Sequence, residues 1–277
     1  MTGNYVARDP GPNPNISSTP PWRAFLVLGA GFLVVLALVW FGLGAVAGAV
    51  AKRLPDGFEA RLAALTPVEA LQSDRPEDRA ARDHLQGIVD AMAAQLPTRD
   101  FEYRVIVVDD DLVNAAAIPG GSILVFRGLL DAVESENELA MVLGHELAHH
   151  VHRDPLERLG RSLVVAVALD AILGGNRGLR ALGELSVEGA GLRMSRGDER
   201  EADELGLELL VGTYGHAGGS TDFFSRLAGA EGDATVDWLR THPLSRDRVD
   251  RIARTAAERG YRFDPVEALP RFDDLPR

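Results

Sequence analysis

The sequence predicts an α+β, mainly α domain with a small β-sheet beside one central helix, preceded by a single N-terminal transmembrane helix. Three observations carry this: a 28-residue run without a charge from Ala24 to Ala51, apolar positions at three- and four-residue spacing over Pro76 to Leu96 and in the segment after Ser135, and two short β-branched runs. At 277 residues, 46% hydrophobic and 25% charged, the chain can bury a core and is neither disordered, collagen-like nor a disulfide-stapled miniature. Asp and Glu number 41 against 29 Lys and Arg, a formal charge of -12, so no basic field exists to gather phosphate backbones and no nucleic-acid partner is expected. With no cysteine there is no disulfide, thiolate cluster or cysteine nucleophile, and any metal site must use His and carboxylates.

Residues 1–21 carry Pro10, Pro12, Pro14, Pro20 and Pro21 without apolar periodicity and read as a disordered tail. Residues 22–53 read as a membrane-spanning helix, with the lipid bilayer as partner through residues 24–51. Trp22 and Trp40 lie about 27 Å apart at ~1.5 Å per residue, a spacing suited to aromatic belts at two interfaces. Lys52, Arg53 and then Pro55 end the run. A buried core helix is rarely apolar all round for so long, and a secretory signal rarely has 23 residues ahead of its apolar core, although Ala45-Val46-Ala47 resembles a cleavage site. Arg8 and Arg23 precede the helix while Lys52, Arg53 and Arg61 follow it, which points the C-terminal part to the cytoplasmic side by one charge.

Residues 54–100 read as a helical linker region, in which Leu85, Ile88, Val89, Met92 and Leu96 share one face of a helix over Pro76 to Leu96 and should pack on the following body, residues 101–260. Tyr103–Val108 and Ser122–Phe126 are strands, separated by an Asp-rich turn and by Pro119-Gly120-Gly121. Ser135 with Glu138 forms a capping box that opens a helix running to about His152. Leu163–Leu173 is too short to span a membrane and contains Asp170, so a buried or membrane-apposed helix is expected. A Gly-rich loop over Gly174–Gly183, helices over Ser195–Tyr214 and Ser245–Arg259, and a tail over 261–277 complete the chain.

His145-Glu146-Leu147-Ala148-His149 is an HExxH pattern on a predicted helix, where positions i and i+4 share a face. Two imidazoles so placed reach one zinc ion, and Glu146 can serve as general base towards the open coordination position. The longer three-histidine pattern fails, because His152 occupies its glycine position and Pro155 its histidine position. A third ligand must come from elsewhere. Glu199 and Asp203 lie four apart on one predicted helix face, which suits Glu199 as zinc ligand and Asp203 as partner to the far ring nitrogen of a ligand histidine. Acidic pairs on helices are otherwise solvated surface, and the HExxH upstream is what favours the site. His150 is rotated about 100° off the ligand face and reads as structural, His152 as a cap or surface residue, and His84 and His216 lie in no constellation.

These segments resemble the M48 family of membrane-associated zinc metallopeptidases. Asn114 to Gly121 is similar to the family's segment before its edge strand, Glu138 to His149 to its active-site helix, Ser195 to Asp203 to its SRxxExxAD motif, and Thr241-His242-Pro243 with Arg251-Ile252 to its late His-Pro element. The likeness runs from Glu102 to Ala257. It implies a gluzincin-like domain holding one Zn²⁺ per chain, with His145, His149 and Glu199 as ligands, Glu146 as general base, and His242 near the metal as oxyanion stabiliser or inhibitory extra ligand. It further implies a peptide-bond hydrolase acting on unfolded, misfolded or envelope polypeptides. Substrate would pair in extended form with the free edge of the strand Ser122, Ile123, Leu124, Val125, Phe126. The single membrane helix is closer to single-anchor or soluble envelope members than to the multi-span ones. Two other readings stand beside this one: a membrane-anchored chaperone or assembly factor that binds extended polypeptide without cleaving it, and a zinc hydrolase of esters or small amides. The sequence is silent on oligomeric state.

Overall fold

The computed structural model describes residues 21–51, 53–65, 68–98, 101–173, 194–229, 238–242, 246–264 and 266–269. The N-terminal tail and the Gly174–Gly183 loop expected from sequence lie outside the described residues. Two compact units divide at Leu43 and Gly44.

Helix α1, Pro21–Ala51, contributes the first unit's described residues and the opening turns of the second. Its window Trp22–Val50 has a mean hydropathy of 2.7 and side chains such as Phe25 and Phe41 stand fully outward, so it is long and apolar enough to cross a membrane. In the second unit, α1 ends against α6 (Asp154–Leu173), with Gly48 against Glu157 and Ala47 against Gly160. Leu163 and Val167 on α6 are exposed, so the buried alternative for this segment does not describe these two side chains.

The second unit continues through α2 (Asp56–Leu65), a 3-10 turn (Val68–Leu71) and α3 (Pro76–Ala93), which opens on proline and a pair of acids, as helix N-termini favour. Leu85, Val89 and Met92 of α3 enter the main core. Strands β1 (Arg104–Val108), β2 (Ala115–Ile118) and β3 (Ser122–Phe126) form one sheet in the order β1-β3-β2, with β1 parallel and β2 antiparallel to β3. The Ser122–Phe126 strand is therefore central and paired on both sides, and it has no free edge for a substrate. This corrects the expectation from sequence, which missed β2: Ala115-Ala116-Ala117-Ile118 is weakly strand-forming and takes its conformation from pairing with β3. On the outer side of β1, Gln86 and Gln72 accept from the amides of Val105 and Val107 at 2.8 and 3.2 Å, closing that edge.

After α4 (Arg127–Ala132), helix α5 (Glu136–His152) starts where Ser135 Oγ accepts from the Glu138 amide at 3.2 Å. The reciprocal half of the expected box is displaced by one residue, since the Glu138 carboxylate accepts from the Glu134 amide. Helix α7 (Arg196–Tyr214) has the complete box, Ser195 with Asp198, and ends at Gly215 with φ 78°. Helices α8 (Asp222–Gly229), α9 (Trp238–Thr241) and α10 (Arg246–Glu258) follow. The crossing of α5 and α7 positions everything that matters below. Gly144 and Gly206 meet there: a Cβ on Gly206 would lie 2.9 Å from the amide nitrogen of His145, and one on Gly144 would lie 3.0 Å from the carbonyl oxygen of Gly206. Each helical glycine costs about 1 kcal/mol relative to alanine, and what it permits is backbone contact beside His145.

Candidate active site

Helix α5 turns His145, Glu146 and His149 into the interior, and the α5–α7 crossing brings Glu199 and Asp203 to the same place. His242, directly after α9, completes a cluster in which no member is more than 3% exposed. The Nε2 atoms of His145 and His149 face each other at 3.0 Å. Nδ1 of His242 is 3.3 Å from His145 Nε2 and 2.9 Å from Oε1 of Glu199. The Glu199 carboxylate also lies 3.6 Å from His145 Nε2 and 3.7 Å from His149 Nε2. Ligand atoms of His145, Glu146, His149 and His242 all fall within 4.8 Å of one another.

The far ring nitrogens are held by carboxylates. Asp203 Oδ1 is 3.1 Å from His145 Nδ1, and Asp154 Oδ2 is 2.7 Å from His149 Nδ1. Assigning the protons to both Nδ1 atoms follows from these contacts, since a carboxylate can only accept. The two unprotonated Nε2 atoms then lie 3.0 Å apart, a proximity that repels unless a cation lies between them. Burial first, and neighbouring cationic groups second, hold the imidazoles of His145 and His242 well below the usual histidine range, and burial does the same at His149. All three are neutral at physiological pH and able to ligate.

Glu146 is supported on one side only. Oε2 accepts from the Ala117 amide of β2 at 2.8 Å, whereas Oε1 is buried with no hydrogen-bond partner and lies 3.5 Å from His242 Nε2. Burial pushes its carboxyl up to about 8, with Arg158 opposing and Glu199 adding to the rise. Burial also raises Glu199 and Asp203 above the usual carboxylate range. An unpartnered carboxylate oxygen of Glu146, two imidazole nitrogens 3.0 Å apart and a second acid, Glu199, make a nitrogen-and-oxygen donor set that fits one divalent metal ion.

Most of the residues singled out from sequence come together here: His145, Glu146, His149, Glu199, Asp203 and His242. His150 instead bonds the Ser122 carbonyl at 3.0 Å, His84 meets Glu136 at 2.9 Å, and His216 meets Glu267 at 3.3 Å, all outside the cluster. The sequence reading missed Asp154, whose approach depends on Arg153 adopting φ 63° between α5 and α6. It also missed Trp238, stacked on the His242 ring at 4.4 Å and 21°, and Arg248, which is 1% exposed and bonded to both Glu199 and Asp203. A signal for Arg248 existed: with Ile252 and Ala256 it occupies one stripe of α10 at four-residue spacing, where a cation is out of place unless partnered.

Residues 79–256 match the sequence profile of peptidase family M48. The mitochondrial metalloendopeptidase OMA1 of Arabidopsis thaliana is 33% identical over 187 residues, which cover 66% of this chain and 36% of that protein. A putative β-barrel assembly-enhancing protease of Vibrio cholerae is 28% identical over 219 residues, 73% of this chain and 44% of that one. Metalloprotease YcaL of Escherichia coli is 30% identical over 177 residues, 61% of this chain and 67% of that one. The chain thus spans less than half the length of the first two. The family match starts inside α3, earlier than Glu102, and ends inside α10, so it takes in every side chain of the buried cluster, and the chain belongs to peptidase family M48.

Proposed function

We propose that the chain is a membrane-anchored zinc endopeptidase that cleaves unfolded or misfolded polypeptide in protein quality control. The observation that carries this reading is Glu146, fixed to β2 through Oε2 with Oε1 free beside two facing imidazoles. His145, His149 and Glu199 would hold the metal, and Asp203 and Asp154 keep Nδ1 of the two histidines protonated so that each Nε2 lone pair is available. Zinc bound there would supply Lewis-acid polarisation of the scissile carbonyl and a more acidic attacking water. Glu146 takes the water proton on Oε1 and passes it to the leaving nitrogen, while Oε2 stays on the Ala117 amide. His242 would stabilise the developing oxyanion once Glu199 Oε1 leaves its Nδ1 for the metal and the ring carries its proton on Nε2.

Among the described residues strand β2 is paired on one side only, and its amide at Ala117 lies on the catalytic carboxylate. A substrate strand laid antiparallel on that edge carries its scissile bond past Glu146, which gives recognition by extended conformation and loose side-chain preference. Helix α1 anchors the catalytic part at a membrane, and residues 101–260 with α3 form the catalytic body. The test is casein degradation by the full chain and its Glu146→Gln variant, with zinc content determined for each. Cleavage by the unsubstituted protein alone, with zinc in both, is the expected result. Zinc in both and cleavage by neither would favour a chaperone that binds without cutting.

A further inference from the structure

Arg248 is buried between the carboxylates of Glu199 and Asp203 and an aromatic ring. Its Nε lies 2.9 Å from each Asp203 oxygen, Nη2 lies 2.6 Å from Asp203 Oδ1, and Nη1 donates to Glu199 Oε2 at 2.7 Å. The guanidinium carbon stands 4.5 Å from the centre of the Phe224 ring, which covers one face of the cation. Nη2 is also 3.2 Å from Nδ1 and 3.3 Å from Nε2 of His145. Near-equal distances to the two nitrogens of one ring place Nη2 in line with neither lone pair. It therefore leaves the Asp203 contact on one side of His145 and the metal direction on the other undisturbed.

One guanidinium thus divides the two oxygens of Glu199. Oε2 accepts from Arg248 at 2.7 Å and lies 3.6 Å from His145 Nε2, while Oε1 lies 2.9 Å from His242 Nδ1 and 3.7 Å from His149 Nε2. We propose that Arg248 is a positioning residue for the metal: it occupies Glu199 Oε2, so that Oε1 would be the oxygen left for the ion, and it locks Asp203 against His145 Nδ1. The proposal rests on the metal-site reading given above. A planar fork with several donors can bridge two carboxylates in this way, whereas a lysine ammonium supplies charge at a single point.

The test uses the full chain in detergent, unsubstituted and as Arg248→Gln and Arg248→Lys, with zinc affinity measured by competition against a chromogenic chelator and the visible absorption of the cobalt(II) form recorded. Arg248→Gln is expected to weaken zinc binding about 10–100-fold, the range for losing an outer partner of a metal ligand. Its cobalt absorption should weaken as the second Glu199 oxygen joins the ion and raises the coordination number. Arg248→Lys should show the same spectral change with a smaller loss of affinity. A folded variant that binds zinc within twofold of the unsubstituted protein and keeps its cobalt spectrum would overturn the proposal, and Arg248→Lys decides the matter by the same criteria should Arg248→Gln not fold. A purely structural role would lower the melting temperature of the metal-free protein and leave the cobalt spectrum unchanged. Failure of the unsubstituted protein to bind either metal would remove the metal-site reading itself, which is distinct from normal binding with unaffected variants.

Discussion

The two histidines of the HExxH helix are supported in opposite ways. His149 takes its partner from five residues along the chain: Arg153 turns left-handed, α6 begins, and Asp154 lies on Nδ1. His145 takes its partner from 58 positions later, through a helix crossing, and that partner, Asp203, is itself held by Arg248 and Arg251 from a further helix. One support is a local turn, and the other depends on three helices packing correctly. The difference teaches that half of this site is specified by local chain geometry, while the other half depends on contacts between distant segments.

Replacing each carboxylate in turn breaks the comparison most strongly. Asp203→Asn leaves Arg248 short of a charged partner in the interior and should cost about 3–5 kcal/mol of stability together with metal affinity. Asp154→Asn should lower metal affinity about 10–100-fold and stability by only about 1 kcal/mol. Urea unfolding with parallel zinc titrations measures both, and equal stability losses would dissolve the distinction between local and distant supports.

A smaller effect is expected at the crossing. Gly206→Ala places a methyl 2.9 Å from the His145 amide nitrogen and 3.2 Å from the Gly144 carbonyl carbon, backbone atoms that cannot rotate away. Overpacking of this kind costs about 1–3 kcal/mol, and it should draw Glu199 and Asp203 from His145 while the Asp154 contact survives. Gly197→Ala, near the start of the same helix, meets only Ser195 Oγ at 3.4 Å and should leave zinc affinity unchanged. A zinc titration in which both variants match the unsubstituted protein would show that the close approach is not needed.

What was legible in the sequence follows the same division. The HExxH spacing, the Ser135 and Ser195 helix starts and the pairing of Glu199 with Asp203 are set by helical periodicity and capping, which short stretches encode. The order of the sheet is not, because nothing in Ser122–Phe126 says which strands will flank it, and β2 becomes a strand only by pairing. Arg248 belongs to α10, and its partners emerge only when α10 meets α7. Asp154 was hidden by a backbone conformation that an arginine rarely adopts.

The smallest expected effect concerns the group between the two supports. In the metal-free protein, burial raises the Glu146 carboxyl from the ordinary 4.5 to about 8. A folded-state value above the unfolded one contributes stability that is fully present below about pH 4.5 and is lost as the pH rises through about 8. The melting temperature of the metal-free protein should therefore fall more between pH 5 and about 8.5 than that of metal-free Glu146→Gln, the difference removing contributions that the two share. Parallel curves would mean that Glu146 is ionised and solvated in the metal-free protein.

The central claim is that His145, His149 and Glu199 converge on one metal ion, and anomalous diffraction at the zinc edge from crystals of the zinc-loaded Glu146→Gln protein tests it most directly. One peak about 2.0–2.2 Å from His145 Nε2, His149 Nε2 and a Glu199 oxygen is predicted. A peak elsewhere, or zinc held by His145 and His149 with Glu199 turned away, would contradict it.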